Sequence, residues 1–258
     1  MKQKLQVLII ALVTIATCQN AQAQNNITAS NADGKNLVKI NLAAVVLNNY
    51  SLQYERAIGS KISAVMGIQF MPKGQLPLRG TIASLIDDPE TMEQIDKIKM
   101  GSTVFTPEFR LYFGEDVFRG FYLAPFARFG AFSADMPIAY EYKDTQSGAI
   151  ITQTIPLSGK VNSITGGLMI GAQWKLSNLL YLDWWIVGPH YGTSKGSIKV
   201  TKALSADEQA GLREELDNIT DGDNPLNATA YVDATGARLD TKGAFAGIRA
   251  GICLGFRF

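Results

Sequence analysis

Charged and polar residues recur at every second position inside otherwise apolar segments: Lys39 and Asn41, Gln53 and Glu55, Glu108, Arg110 and Tyr112, Asp183 and Trp185, Arg249 and Arg257. Residues two apart share one face of a β-strand, so each set points a mixed-charge face the same way. Gln69, Arg128 and Gln173 add polar positions in neighbouring segments. Glu55, Arg110 and Asp183 each lie a few residues from a short turn, which lets them meet at one depth. Buried charge must be paired. The expectation is a salt-bridged network of Lys39, Glu55, Glu108, Arg110, Arg128, Asp183 and Arg249 that fills and rigidifies an interior. A polar relay or narrow ion path is the alternative.

Other candidate chemistry is thinner. His190, in "GPHYGTSKG", is the sole histidine. A lipid-modifying acyl hydrolase or transferase would need such a base beside a serine and an acid. The residue two further on is Gly192, however, and the nearest hydroxyls, Thr193 and Ser194, follow in an expected loop. The expected role of His190 is therefore to cap a strand end, with no catalytic residues. "DGDN" at 221–224 lacks the remaining ligands and spacing of a Ca²⁺ loop. No metal or cofactor is expected. Phe126, Phe132 and Val187, with the small Gly130 and Gly167, could leave an apolar pocket for a small hydrophobic ligand, against simple packing as the other reading.

The elements that position these residues follow from hydropathy. The first residues carry Lys2 and Lys4, an apolar stretch from Leu5 to Ala16 and the small-x-small site Ala21-Gln22-Ala23, the pattern of a secretory signal peptide over 1–23. A lipoprotein signal at Cys18 fits less well because Thr17 precedes it. Removal of the leader leaves Cys253 as the sole cysteine, so no intramolecular disulfide is expected. Residues 24–35 form a short segment before the first strand. The chain is 47% hydrophobic and 18% charged with a formal charge of +1, a balance that offers nothing to nucleic acid.

Period-two alternation then marks eight segments near the ~10 residues of a tilted transmembrane strand: 36–48, 50–58, 61–72, 102–113, 121–132, 162–176, 179–192 and the terminal "AGIRAGICLGFRF". Connections alternate between tight, as at Gly59-Ser60 and Ser177-Asn178, and long, at about 73–101, 135–160 and some fifty residues before the last strand. In "LIDDPETMEQIDKIK", Asp88 and Pro89 start a helix, and in "SADEQAGLREELDNI", Ser205 with Glu208 forms a capping box. A soluble sandwich or lipocalin-like barrel also alternates, with its apolar face inward. Loop asymmetry, aromatic residues at strand ends (Phe113, Phe121, Trp174, Phe258) and the terminal aromatic favour the inverse arrangement. The expected fold is all-β, an eight-stranded antiparallel up-and-down transmembrane β-barrel over 36–258 with short helices in long extracellular loops. Its bore is just wide enough for its own side chains, and no peptidoglycan-binding domain is expected after it.

Several strings together, "NYSLQYERAI", "GIQFMPKGQLPLRG" followed by "IDDPET", "FTPEFRLYFG", "GFYLAPFARF" and "GAFAGIRAGICLGFRF", resemble a family of Bacteroidetes outer-membrane proteins described as domain of unknown function 3575. The resemblance spans the mature chain. It implies a small Gram-negative outer-membrane barrel with no agreed activity, and supplies no catalytic or ligand residues. Phe256 and Phe258 resemble the terminal signal read by the outer-membrane assembly machinery. The expected function is non-catalytic, structural or surface-interacting, with carriage of a small hydrophobic molecule or lipid as the alternative. Expected partners are outer-membrane lipid and lipopolysaccharide, and the chain is expected to be monomeric.

Overall fold

The computed structural model describes residues 34–84, 88–143, 148–220 and 227–258. The expected leader and the "DGDN" segment lie outside these residues. The strands are β1 (Asn36–Asn41), β2 (Tyr50–Ala57), β3 (Ile62–Gln75), β4 (Lys99–Tyr112), β5 (Gly120–Lys143), β6 (Ile150–Lys175), β7 (Leu180–Thr201), β8 (Asn227–Asp233) and β9 (Gly236–Arg257). The helices are α1 (Leu42–Val46), α2 (Arg79–Ala83), α3 (Pro89–Lys97) and α4 (Ala206–Thr220).

Each strand from β1 to β6 pairs antiparallel with the next, β7 pairs with β9, and β9 pairs back onto β1. Eight strands thus close a ring, and β8 hangs outside it on an edge of β9. At the closure the start of β1 meets Phe258: Asn36 N donates to Phe258 O at 3.1 Å and Phe258 N to Asn36 O at 3.0 Å. Three tight connections share that end of the ring, and the helices and longer connections lie at the other.

Side-chain placement is the inverse of a water-soluble barrel. Met66, Phe109, Phe113, Phe121 and Ile248 are exposed on the outside, whereas Lys39, Glu55, Arg110 and Asp183 are buried inside. β2 reads exposed and buried in strict alternation, because its Tyr50, Leu52 and Tyr54 face out while Ser51, Gln53 and Glu55 face in. Exposed aromatics cluster toward the turn end (Phe113, Phe121, Trp174, Phe258) and again further up (Tyr50, Phe70, Tyr191). No helix among the described residues is long and apolar enough to cross a membrane.

Three expectations about the elements are corrected. The first strand stops at Asn41, not near 48: "LAAVV" forms α1, capped by Asn41 Oδ1 accepting from Ala44 N at 3.1 Å. The stretch expected as a polar loop at 135–160 continues β5 and β6 as a paired hairpin as far as Lys143↔Ile150. The fifty-residue connection before the last strand contains the top of β7, α4, β8 and the first part of β9. The two loop helices form as expected. In α4 the capping box is reciprocal, Ser205 N donating to Glu208 Oε2 at 2.7 Å and Glu208 N to Ser205 Oγ at 3.3 Å.

Candidate functional site

The inward faces of β1, β2, β4, β7 and β9 bring six charges together in the lower half of the bore. Lys39 pairs with Glu55 and, at 2.6 Å, with Asp183. Arg110 reaches Asp183 through Nη1 at 2.6 Å, Glu108 through Nε at 2.5 Å and Glu55 at 3.3 Å. Arg249 Nη1 completes the chain to Glu108 at 2.5 Å. Three cations thus face three carboxylates, with Arg110 touching all three acids and Lys39 two of them.

Neutral groups take up most of what the charges leave, while Gln53 Nε2 and Gln173 Nε2 stay buried without partners. Asp183 also accepts from Tyr122 Oη at 2.8 Å and Trp185 Nε1 at 3.2 Å. Glu55 accepts from Ser63 Oγ and from Tyr112 Oη at 2.6 Å, and Gln173 Oε1 takes a bond from Lys39 at 2.7 Å. Arg110 lies over the Tyr122 ring at 4.3 Å and Arg249 over Trp185 at 4.1 Å, both within cation–π range. Gly171 admits this packing: a Cβ there would sit 2.3 Å from the Tyr122 ring. Beneath the network Phe118, in the connection between β4 and β5, turns inward at positive φ and packs edge-on against Tyr112 and Tyr181. The sequence analysis does not single out Phe118, which lies in the short connection "GEDVFRG". An aromatic within a short polar connection was the available signal.

Of the expected network, Lys39, Glu55, Glu108, Arg110, Asp183 and Arg249 meet, and Arg128 does not. Arg128 sits higher, half-buried, with Nη2 donating to Gln69 Oε1 at 3.3 Å. Among the described residues no carboxylate pairs with it. Its cross-strand neighbour Thr165 is 3% exposed. Thr165 Oγ1 and, nearby on β7, His190 Nδ1 are buried without hydrogen-bond partners. His190 is thus inside the bore, its ring edge-on to Phe126 at 6.1 Å, and does not cap the wall at a strand end. Among the described residues no nucleophile or acid hydrogen-bonds to His190 Nδ1.

The expected apolar pocket is also corrected. Phe126 points inward, but its ring fills the space above Gly167, and Phe132 stacks on Phe245 with centroids 5.7 Å apart. Val187 faces outward at 38% exposure. A bulge between Trp185 and Gly188 opposite Gly251 and Arg249 inserts a residue into β7 and reverses the parity that placed Val187 inside. Phe132 borders instead a cleft of about 310 Å³ at the rim, with Phe70, Lys73, Lys160 and Asn162. Phe256 and Phe258 are exposed on the outer face of β9. Among the described residues no group of three His, Cys, Asp or Glu side chains could hold a metal ion.

No family model matches the chain, and no curated protein matches it. Among solved structures, the N-terminal β-barrel domain of Pseudomonas aeruginosa OprF is similar at 10% identity and a TM-score of 0.25, covering 87% of this chain and 98% of that one.

Proposed function

We propose that this chain is a non-catalytic outer-membrane β-barrel whose bore is closed by its own ion network, belonging with the Bacteroidetes proteins that its sequence resembles. One observation carries the reading: apolar residues cover the outside of a closed ring of strands while mutually neutralised charges fill the inside. Only a hydrocarbon solvent rewards that inversion, and a closed barrel is the all-strand way to satisfy every backbone group within it. The tight turns and both ends of the ring face the periplasm, and the extended β5–β6 hairpin and α4 stand outside the cell. The secretory leader delivers the chain, Phe256 and Phe258 serve assembly, and lipid and lipopolysaccharide surround a monomer.

A closed floor follows from eight strands, which leave room for side chains alone, and from the near-complete burial of Lys39, Gln53, Glu55, Arg110, Gln173 and Asp183. Two measurements test the proposal. Cell fractionation should place the mature protein with the outer membrane, and recovery in the soluble periplasm would refute the location. In planar bilayers the purified wild-type protein should give no single-channel steps; steady steps that change on Arg110→Ala would refute the closed floor.

A further inference from the structure

The outer wall changes character with height. On β7 the outward residues are apolar from Leu180 through Trp184 and Val187 to Tyr191, and the same band reaches Ile164 on β6 and Ile248 on β9. That length of strand, tilted as barrel strands are, spans about the 25 Å of a lipid-facing apolar band. Above it the sidedness reverses. Lys160, Lys195, Lys199, Arg238 and Lys242 are exposed, while Val161, Ile198, Val200 and Leu239 at the alternate positions are half-buried. The strands thus leave the apolar layer at this height and continue into a polar one.

The register gathers these cations on three adjacent strands. Lys195 of β7 stands directly opposite Lys242 of β9 on one side and Asn162 of β6 on the other. Further along, Lys199 stands opposite Arg238, and between the two pairs Lys160 stands opposite Ser197. Directly opposed side chains have Cβ atoms about 4.5–5.5 Å apart, and like charges so placed repel. The neighbouring acids do not offset this. Asp240 pairs with Arg238 at 3.1 Å, Asp135 with Lys73 and Glu208 with Lys202, and Asp233 accepts from Thr235. Among the described residues no acid pairs with Lys160, Lys195, Lys199 or Lys242. Opposed lysines without carboxylates are offset by a ligand of more than one negative charge, and ammonium groups are point-charge donors to phosphate. Their height selects the ligand, because basic clusters just beyond the hydrocarbon attract anionic lipid headgroups. The rim cleft of about 310 Å³ shares Lys160 and Asn162 with this face and adds Thr103 and Ser133, space and hydroxyls for a sugar ring beside the phosphates.

We infer that the outer face of β6, β7 and β9 binds the phosphorylated sugar headgroup of lipid A in the outer leaflet. Lys160, Lys195, Lys199 and Lys242 hold the phosphates, and the acyl chains lie on Ile164, Tyr191 and Ile248 below. This rests on the barrel standing in the outer membrane with its long connections outside, and it gives the surrounding lipopolysaccharide a fixed place on the wall.

The test folds the full mature protein in detergent and titrates it with lipid A bearing both phosphates, with the same lipid after dephosphorylation, and with inositol hexakisphosphate as a polyanion without acyl chains. Native mass spectrometry reads the complexes. Phosphorylated lipid A should be retained. Dephosphorylation, or the double variant Lys195→Gln with Lys242→Gln, should weaken binding about tenfold, the scale of a lost charge-assisted hydrogen bond. Lys195→Arg with Lys242→Arg should keep the affinity, and Lys61→Gln, exposed at the turn end, should leave it unchanged. Gel mobility before and after heating shows that each variant is folded. Equal binding of the two lipids, or equal binding by wild type and the glutamine variant, would overturn the inference. Tighter binding of inositol hexakisphosphate than of lipid A would overturn it in favour of a soluble polyanion. A protein that enters bilayers yet gives any of these results refutes this site alone, whereas one that fails to enter bilayers refutes the membrane reading itself.

Discussion

The lower and upper halves of the bore are built from the same strands to opposite ends. Below, three cations and three carboxylates are matched within hydrogen-bond distance, with Tyr112, Tyr122 and Trp185 taking up the remaining lone pairs. Above, Arg128 has an amide for a partner, Thr165 and His190 carry unsatisfied atoms, and the wall itself lacks a strand. The lower half is balanced in charge and continuous in strand pairing, with only the side-chain nitrogens of Gln53 and Gln173 left without hydrogen-bond partners. The upper half has no such charge balance, so the difference separates an ion-paired plug from a tier whose cation has only an amide for a partner.

The largest break of this contrast is Asp183→Ala. It strips a carboxylate from Lys39, Arg110, Tyr122 and Trp185 together, and removing one partner of a buried pair costs about 3–5 kcal/mol. Urea unfolding from lipid vesicles, followed by the gel-mobility difference of folded and unfolded barrel, should show that loss. Next is Gly171→Val, which drives atoms into the Tyr122 ring and the Trp184 carbonyl; overpacking of this kind costs about 1–3 kcal/mol in the same assay. Arg128→Gln sharpens the comparison from the other side. A half-buried cation with one neutral acceptor should cost under about 1.5 kcal/mol, well short of Asp183→Ala, and parity between the two variants would erase the distinction.

The smallest effect lies outside both halves, where Lys73 pairs with Asp135 at 2.5 Å on the exposed rim. Hydrogen bonds from Lys73 and Ser158 hold the Asp135 carboxyl below its ordinary range. Its contribution is therefore present above the usual carboxylate pKa and fades as pH falls through the lowered folded value. An exposed pair contributes about 0.2–1 kcal/mol at most, so Asp135→Asn should lower the unfolding temperature slightly near neutral pH and not at all in strong acid.

What could be read in advance divides along the same line. The alternation in "FTPEFRLYF" and "GIRAGICLGFRF" is strict because one face meets an apolar exterior and the other a charged bore, so Glu108, Arg110 and Arg249 were legible as partners. Above that band, in "SADMPIAYEYK" and "IITQTIPLSGK", the residue types lose the strict period-two signal, and a paired hairpin reads as loop. "LAAVV" is apolar in either conformation, and a run that short does not distinguish strand from helix. The bulge after Trp185 leaves no mark in residue type beyond Gly188 and Pro189, yet it alone reverses Val187. Arg128 carries the same parity as the ion network, and only its height on β5 separates it from the acids.

The most direct test uses the adjacent Trp184 and Trp185, which lie 45% and 2% exposed on opposite faces of β7. Variants retaining one of these two tryptophans, with Trp174 also replaced, would be folded into bilayers whose acyl chains are brominated. Strong quenching of Trp184 with Trp185 left bright is the expected result. Equal quenching of the two, or an unquenched Trp184, would contradict a barrel that shows its apolar face to lipid and keeps its charges within.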